Sequence, residues 1–197
     1  MKRFFKAALI ACTIGSLFIG CSKDDDTPQT PPVVYAEENP LAAYLAATGF
    51  GNLPPAINVN LRERGLTFIP KVNGKINAVT IKIPDNATNM RVTIWNVENK
   101  TVLRTIIIPS VSKDVEIKQN LDAPLPLTIN KRYMISYNSD DYYSRNGAIA
   151  PYPIIAGNII IEKYSISDLD ITTQTFPDNE FKTGYAGDCS FVFQRTE

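Results

Sequence analysis

The sequence predicts an all-β protein: an antiparallel β-sandwich, jelly-roll-like, with one short N-terminal helix. The first observation is a hydrophobic pattern of period two, which is typical of strands with one buried face. The second is the regular occurrence of Gly, Pro, Asn and Asp between these runs, as in sandwiches of short strands. The third is a length of 197 residues without a repeat of fixed period, which suits one domain and argues against a propeller or solenoid.

Residues 1–20 have the features of a secretory signal peptide. Lys2, Arg3 and Lys6 precede an apolar stretch, 7–19, that is short for a membrane-spanning helix. The segment ends in Leu-Phe-Ile-Gly-Cys, which resembles the lipobox of bacterial lipoproteins, in which the cysteine is diacylated and the signal is cut just before it. The resemblance implies that Cys21 is lipidated and anchors the protein in a membrane. A plain signal peptide is the alternative.

Residues 21–35 are predicted to be a disordered tether that joins the anchor to the β-sandwich domain, 36–197. The tether is rich in proline and too poor in apolar residues to build a core. Its acidic run, Asp24–Asp26, resembles the export signal of Bacteroidetes-type surface lipoproteins, although a solvated linker has the same composition. We therefore expect a lipid anchor in the outer membrane and exposure at the cell surface, with the periplasmic face as the alternative.

A helix is predicted over residues 40–48. Asn39 is a favourable N-cap, Pro40 suits the first helical position, and Gly49 suits the C-terminal stop. At about two turns the helix is too short to be stable alone, so we expect it to pack on the main domain. Its apolar face has the spacing i, i+3, i+4 and i+7: Leu41, Tyr44, Leu45 and Thr48.

Nine strands are predicted after the helix: 66–69, 75–83, 91–97, 102–108, 115–118, 125–129, 133–137, 158–164 and 190–194. The alternation is clearest at 79–83 and 91–94, and it predicts sheets with one buried face and one wet face. Asn73-Gly74 and the turn 98–100 are predicted hairpin turns. We expect Tyr133 to be a core residue and Trp95 to pack on the inner sheet face.

Composition excludes several classes of function. The chain has no histidine, which excludes Ser-His-Asp and Cys-His catalysis and histidine-containing zinc sites. Its 20 Lys and Arg against 20 Asp and Glu do not form the basic footprint of a nucleic-acid-binding protein. Cys189 is the one cysteine left once the signal peptide and the lipidated Cys21 are counted. It has no disulfide partner, so we expect a buried small hydrophobe.

About half of the mature chain carries motifs of a known domain. They are Gly-x-x-Phe at 65–68, Gly-x-Ile-x-x-Val at 74–79, Val-x-Ile-Trp at 92–95 and x-x-Tyr-x-x-Ser-Tyr at 131–137. The region 65–145 resembles a β-sandwich domain of unknown function that occurs in modular extracellular bacterial proteins beside carbohydrate-active or adhesive domains. The resemblance implies a non-enzymatic accessory or binding module and supplies no catalytic residue.

The segment 133–152 holds five of the nine tyrosines, interleaved with Asn, Asp and Arg. Sugar rings stack on aromatic faces, and their hydroxyls bind carboxylates, amides and guanidinium groups. Residues 138–147 are therefore predicted to be a ligand-binding loop, with an ordinary polar turn as the alternative. The candidate ligand-binding residues are Tyr137, Asn138, Asp140, Asp141, Tyr142, Tyr143 and Arg145.

Calcium is the one metal for which the sequence suggests ligands. Asn138, Asp140 and Asp141 offer the oxygen ligands that Ca²⁺ prefers, but their spacing matches no calcium-loop motif. We therefore expect no cofactor, with a structural Ca²⁺ as the alternative.

The function predicted is binding rather than catalysis. No carboxylate pair stands out for glycoside hydrolysis, and no phosphate-binding loop is present in the sequence. We expect a membrane-anchored, extracytoplasmic binding module for carbohydrate that has no catalytic residue and no nucleic-acid partner. The alternative is a structural or adhesive surface subunit that acts through protein–protein contacts.

Overall fold

The computed structural model describes residues 33–146, 152–168, 170, 172–182 and 184–197. The larger of its two compact units is Val34–Glu197, and helix α1 of this unit spans Pro40–Thr48. The strands are β1 (Glu37–Glu38), β2 (Gly51–Asn52), β3 (Arg62–Pro70), β4 (Gly74–Lys82), β5 (Ala87–Asn96), β6 (Thr101–Val111), β7 (Ile117–Leu127), β8 (Tyr133–Ser139), β9 (Ser144–Asn146), β10 (Ile154–Ala156), β11 (Ile159–Ile166), β12 (Asn179–Glu180), β13 (Gly184–Ala186) and β14 (Asp188–Arg195).

The predicted signal peptide, 1–20, and the predicted lipidation site, Cys21, lie outside the described residues. The same holds for the predicted tether up to residue 32. In the part of the chain that is described, no helix has the length and apolar character needed to cross a membrane.

The strands form three antiparallel sheets, which confirms the predicted all-β sandwich with one short helix. The first sheet has the order β1-β14-β4-β7. The second has the order β10-β11-β3-β8-β5-β6, with β12 beside β11, and the third has the order β13-β9-β2. The core lies between the first two sheets, where the ring centroids of Phe68 and Phe191 are 4.3 Å apart.

The period-two pattern identifies the core face of both large sheets. Ile81 on β4 and Val92 on β5 belong to the core, as predicted. The prediction that the other face is wet is wrong at Thr93 on β5, which is fully buried, and at Thr80 on β4, which is buried as well. A strap, residues 172–178, covers the outer face of β5, and the Gln174 side chain donates a hydrogen bond to Thr93 at 2.9 Å. Strand alternation shows which side chains face the core, but it does not show which loop covers the opposite face.

Trp95 is buried as predicted, but on the opposite face of the sheet. Because Val92 and Ile94 occupy core positions, alternation along β5 puts Trp95 on the outer face. Its indole N–H donates to the Ser136 hydroxyl at 2.8 Å, and its ring meets Phe176 of the strap edge-on at 5.6 Å. Trp95 therefore holds the strap against the second sheet.

Some strand and turn predictions need correction. The predicted strands 115–118 and 125–129 are one strand, β7, and six short strands of two or three residues were not predicted. Asn73-Gly74 is not a hairpin turn, because it connects β3 and β4, which lie in different sheets. The turn 98–100 does join the paired strands β5 and β6, as predicted. Turn residues show where a chain reverses, whereas long-range pairing decides which sheet each strand joins.

Helix α1 begins and ends as predicted. The Asn39 side chain accepts a hydrogen bond from the Leu41 N–H at 3.0 Å, and Gly49 ends the helix in the left-handed region at φ +64°. The helix packs against β10 and β14. Tyr44 is fully buried, and its ring meets that of Tyr185 on β13 edge-on at 5.3 Å. The helix therefore braces the third sheet.

Cys189 and Tyr133 are buried in the core, which confirms both predictions. Cys189 is a free thiol, and burial raises its pKa. The Tyr133 hydroxyl accepts a hydrogen bond from the Thr128 N–H at 3.0 Å. Both side chains are therefore structural.

Candidate functional site

A pocket of about 520 Å³ lies between the second and third sheets. Its walls come from β3, β11, β9 and β13 and from the segment 53–60. Its size and its mixture of aromatic and polar groups are typical of small-ligand sites, which measure about 300–1,000 Å³. Its described lining has an apolar or aromatic part (Leu53, Val59, Tyr142, Tyr164, Ile166, Phe181, Tyr185 and Ala186) and a polar part (Asn60, Arg62, Arg64, Ser144, Arg145 and Asn146).

The third sheet brings the tyrosine-rich segment to this pocket. β9 lies between β2 and β13, so Arg145 is paired with both Asn52 and Tyr185. Ala56 and Tyr142 exchange two backbone hydrogen bonds of 3.0 Å. The prediction of a loop at 138–147 is therefore wrong for most of its length, since its backbone pairs with the distant segments 51–59 and 184–187.

Arg64 is a buried cation in the pocket wall. Alternation along β3 places it on the same face as Leu66 and Phe68, and only 5% of it is exposed. Its guanidinium carbon lies 3.8 Å from the ring centroid of Tyr142, which is a cation–π contact. Within the described residues its Nε has no hydrogen-bond partner.

Two further arginines line the same pocket. Arg145 binds Asp188 with three hydrogen bonds, at 3.3, 2.8 and 2.7 Å, and also donates to Asn52. Burial raises the pKa of Asp188, and the charge of Arg145 opposes this shift. Arg62 donates to the carbonyl of Ser167 at 2.7 Å. Of the guanidinium groups that line the pocket, only that of Arg145 lies within ion-pair distance of a carboxylate in the described part of the chain.

Tyr164 and Tyr185 supply neutral phenol groups. Burial raises the pKa of both side chains, although the charge of Arg64 opposes the shift at Tyr164. In the described structure the Tyr164 hydroxyl is buried without a hydrogen-bond partner. A phenol that stays protonated can donate a hydrogen bond to a ligand, so Tyr164 is suited to bind an acceptor.

Of the seven predicted ligand-binding residues, Tyr142 and Arg145 lie together in the pocket. Tyr137 does not belong to the site, because it is 2% exposed in the core and its hydroxyl donates to the Ala186 carbonyl. Tyr143 lies outside the pocket lining. Its hydroxyl contacts Asp114 and donates to the Ile83 carbonyl at 3.2 Å. The neighbouring tyrosines 142 and 143 thus have different surroundings.

The predicted calcium residues have structural partners. Asp141 accepts a hydrogen bond from the Asn58 N–H at 2.7 Å, and the Asp140 carbonyl accepts one from the Val59 N–H at 3.2 Å. Burial raises the pKa of Asp141. Asn138 lies on β8 at the position paired with Glu63. Among the described residues, no group of three or more His, Cys, Asp and Glu side chains is arranged to hold a metal ion.

Sequence reasoning missed Arg62, Arg64, Tyr164 and Tyr185. One signal was present for Arg64: two positions ahead of Leu66, it continues the apolar face of the strand. A charged residue at such a position indicates a buried polar site. The predicted strand began at Leu66 and so left Arg64 out. Nothing local distinguishes Tyr164 or Tyr185 from core tyrosines.

No protein-family model matches this chain, and no curated protein matches it either.

Proposed function

We propose that the protein is a non-catalytic, membrane-anchored, extracytoplasmic binding protein whose ligand is carbohydrate. The observation that carries the proposal is the pocket between the second and third sheets. It combines aromatic side chains, which suit the apolar face of a sugar ring, with guanidinium and amide groups, which suit sugar hydroxyls. Its described lining holds no carboxylate, which fits binding rather than glycoside hydrolysis.

The anchor in this proposal is the lipidated Cys21 in the outer membrane. In cells fed labelled palmitate, we expect the wild-type protein to incorporate the label and to partition into detergent. Cys21→Ser loses both properties, because no other cysteine follows the signal peptide except the buried Cys189. Equal labelling of the two proteins would contradict the anchor and support a plain signal peptide.

Binding is tested with detergent-solubilised full-length protein on a glycan array, with and without calcium. Tyr142→Ala removes an aromatic wall of the pocket, and we expect its glycan affinity to fall about tenfold or more, since a stacked aromatic contributes about 1–3 kcal/mol. Tyr143→Phe is the matched control, because this neighbouring tyrosine lies outside the pocket lining. Binding that requires calcium would support the alternative of a structural Ca²⁺.

A folded protein that binds no glycan would favour the alternative, a structural or adhesive subunit. One observation supports this alternative: β6 is an edge strand of the second sheet and exposes apolar side chains. Val102 is 43% exposed and Ile107 is 50% exposed. Exposed edge strands are sites of protein–protein pairing.

A further inference from the structure

The pocket contains a buried positive charge without a counter-ion in the described structure. Arg64 is 5% exposed, and no carboxylate among the described residues lies within ion-pair distance of its guanidinium group. A buried charge is costly unless it is paired and hydrogen-bonded. The ring of Tyr142 offsets part of this cost through the cation–π contact at 3.8 Å. In the part of the chain that the structure describes, the Nε–H of Arg64 still has no acceptor.

A second unsatisfied donor lies beside the first. The Tyr164 hydroxyl is buried in the same pocket and has no hydrogen-bond partner in the described part of the chain. Arg64 acts on this hydroxyl through its charge and as a nearby side-chain donor, so the two groups are close neighbours, although neither the hydroxyl nor the Arg64 Nε makes a hydrogen bond of good geometry within the described residues. Nearly all buried polar groups in proteins have a partner. Two orphaned donors in one pocket therefore indicate that the missing acceptor is a ligand group.

None of the other described side chains that line the pocket is a carboxylate that could accept these hydrogen bonds. Arg145 is neutralised by Asp188, and Arg62 adds a third guanidinium group, which donates to the Ser167 carbonyl. The pocket is therefore positive, although the chain without residues 1–20 has 17 basic against 20 acidic residues. The positive charge of the pocket is thus local, because the protein as a whole is not basic.

We infer that the ligand of this pocket is an acidic saccharide and that its carboxylate binds the guanidinium group of Arg64 and the hydroxyl of Tyr164. The inference rests on the proposed function and specifies the class of sugar. Arginine binds carboxylates through two parallel hydrogen bonds, and such charge-assisted bonds are stronger than neutral ones. The aromatic side chains of the pocket then contact the sugar ring, as in other small-ligand sites.

The test uses full-length protein in detergent on an array of glycan pairs. Each pair has the uronate carboxyl group either intact or reduced to the alcohol, and sulfated glycans and acidic peptides complete the array. We expect the intact glycan of a pair to bind at least about tenfold more tightly than its reduced form. Calorimetry on the best pair then compares variants.

Arg64→Met removes the charge and keeps a long apolar side chain. We expect it to lower the affinity for the acidic glycan to that for the reduced form, without a loss of thermal stability, because it removes an unpaired buried charge. Arg64→Lys keeps the charge but lacks the two-pronged geometry, and we expect an intermediate affinity. Arg132→Gln is the matched control, since it removes one surface arginine outside the pocket.

Each unexpected result would overturn one specific part of the proposal. Equal binding of intact and reduced glycans overturns the acidic class and leaves the proposed carbohydrate function in place. Binding of sulfated glycans alone overturns the carboxylate assignment, and binding of acidic peptides alone overturns the saccharide. Binding of no glycan by folded wild-type protein overturns the proposed function as well. An Arg64→Met protein that binds like wild type overturns the role of Arg64.

Discussion

Glu63 is a fully buried carboxylate on the outer face of the second sheet. The Arg91 side chain donates to it from Nε at 3.1 Å, and the Ser136 hydroxyl donates at 3.1 Å. Ser136 in turn accepts the indole N–H of Trp95 at 2.8 Å. Burial raises the pKa of Glu63, and Arg91 and Ser136 oppose this shift only in part. Removing two charges from water is costly, so the ion pair is not by itself a source of stability.

The raised pKa of Glu63 predicts a pH-dependent stability. Above its ordinary pKa of 4.5 the unfolded chain loses this proton first, so wild type loses stability as the pH rises towards the pKa of the folded protein. Glu63→Gln cannot ionise. We therefore expect wild type to lose thermal stability relative to this variant as the pH rises above about 4.5. Parallel melting curves over this range would contradict the prediction. Glu98→Gln, which removes an exposed carboxylate, is the matched control.

At the scale of elements, α1 shows how a short helix becomes stable and useful. Nine residues are too few for an independent helix, so its stability depends on its cap and on its packing. Besides capping the helix, the Asn39 amide donates to the Thr80 hydroxyl at 3.1 Å, which ties the helix start to β4. Tyr44 then contacts Tyr185 in the wall of the pocket. The cap therefore supports the site as well as the helix.

Asn39→Ala removes the cap, and we expect it to lower the free energy of unfolding by about 1 kcal/mol, the usual value for an N-cap residue. Asn39→Asp is the control. It keeps an acceptor for the Leu41 N–H and loses only the amide N–H that donates to the Thr80 hydroxyl, so its loss should be smaller. Urea unfolding measures both variants. An alanine variant as stable as wild type would mean that packing alone holds the helix.

At the scale of the whole molecule, the core that joins the two large sheets determines stability. Phe68 belongs to the second sheet and Phe191 to the first, so their contact spans the sandwich. Tyr133 packs beside Phe68 at 5.8 Å, which makes a continuous aromatic cluster. Protein cores are packed as densely as organic crystals, so the loss of one of these rings leaves a cavity.

Phe191→Ala should lower the free energy of unfolding by about 3–5 kcal/mol, because it removes a buried ring and creates a cavity. Phe181→Ala is the matched control: its side chain is 43% exposed, and we expect a clearly smaller loss. Chemical unfolding followed by tryptophan fluorescence, through the single Trp95, measures both variants. Equal losses for the two variants would show that the contact of Phe191 with the second sheet does not stabilise the fold.

Local signals account for the parts of the fold that the sequence predicted correctly. The helix ends follow from Asn39, Pro40 and Gly49, since capping and left-handed termination depend on neighbouring backbone groups. The core faces of β4 and β5 follow from alternation, which is a property of each strand alone. The buried Cys189 follows from its apolar neighbours on β14.

Only the tertiary structure decided which sheet each strand joins, which segments cover the sheet faces and which side chains line the pocket. Turn chemistry at Asn73-Gly74 did not show that β3 and β4 enter different sheets, and alternation did not show that the strap covers Trp95. The two neighbouring tyrosines, Tyr142 and Tyr143, are equivalent in sequence, yet only Tyr142 lines the pocket. The pocket combines residues from 53 to 186, and such long-range proximity depends on strand pairing and packing that no local pattern encodes. The sequence by itself thus determined the fold class, the helix and the core faces, whereas the pocket and the buried charge of Arg64 exist only through the assembly of the sheets.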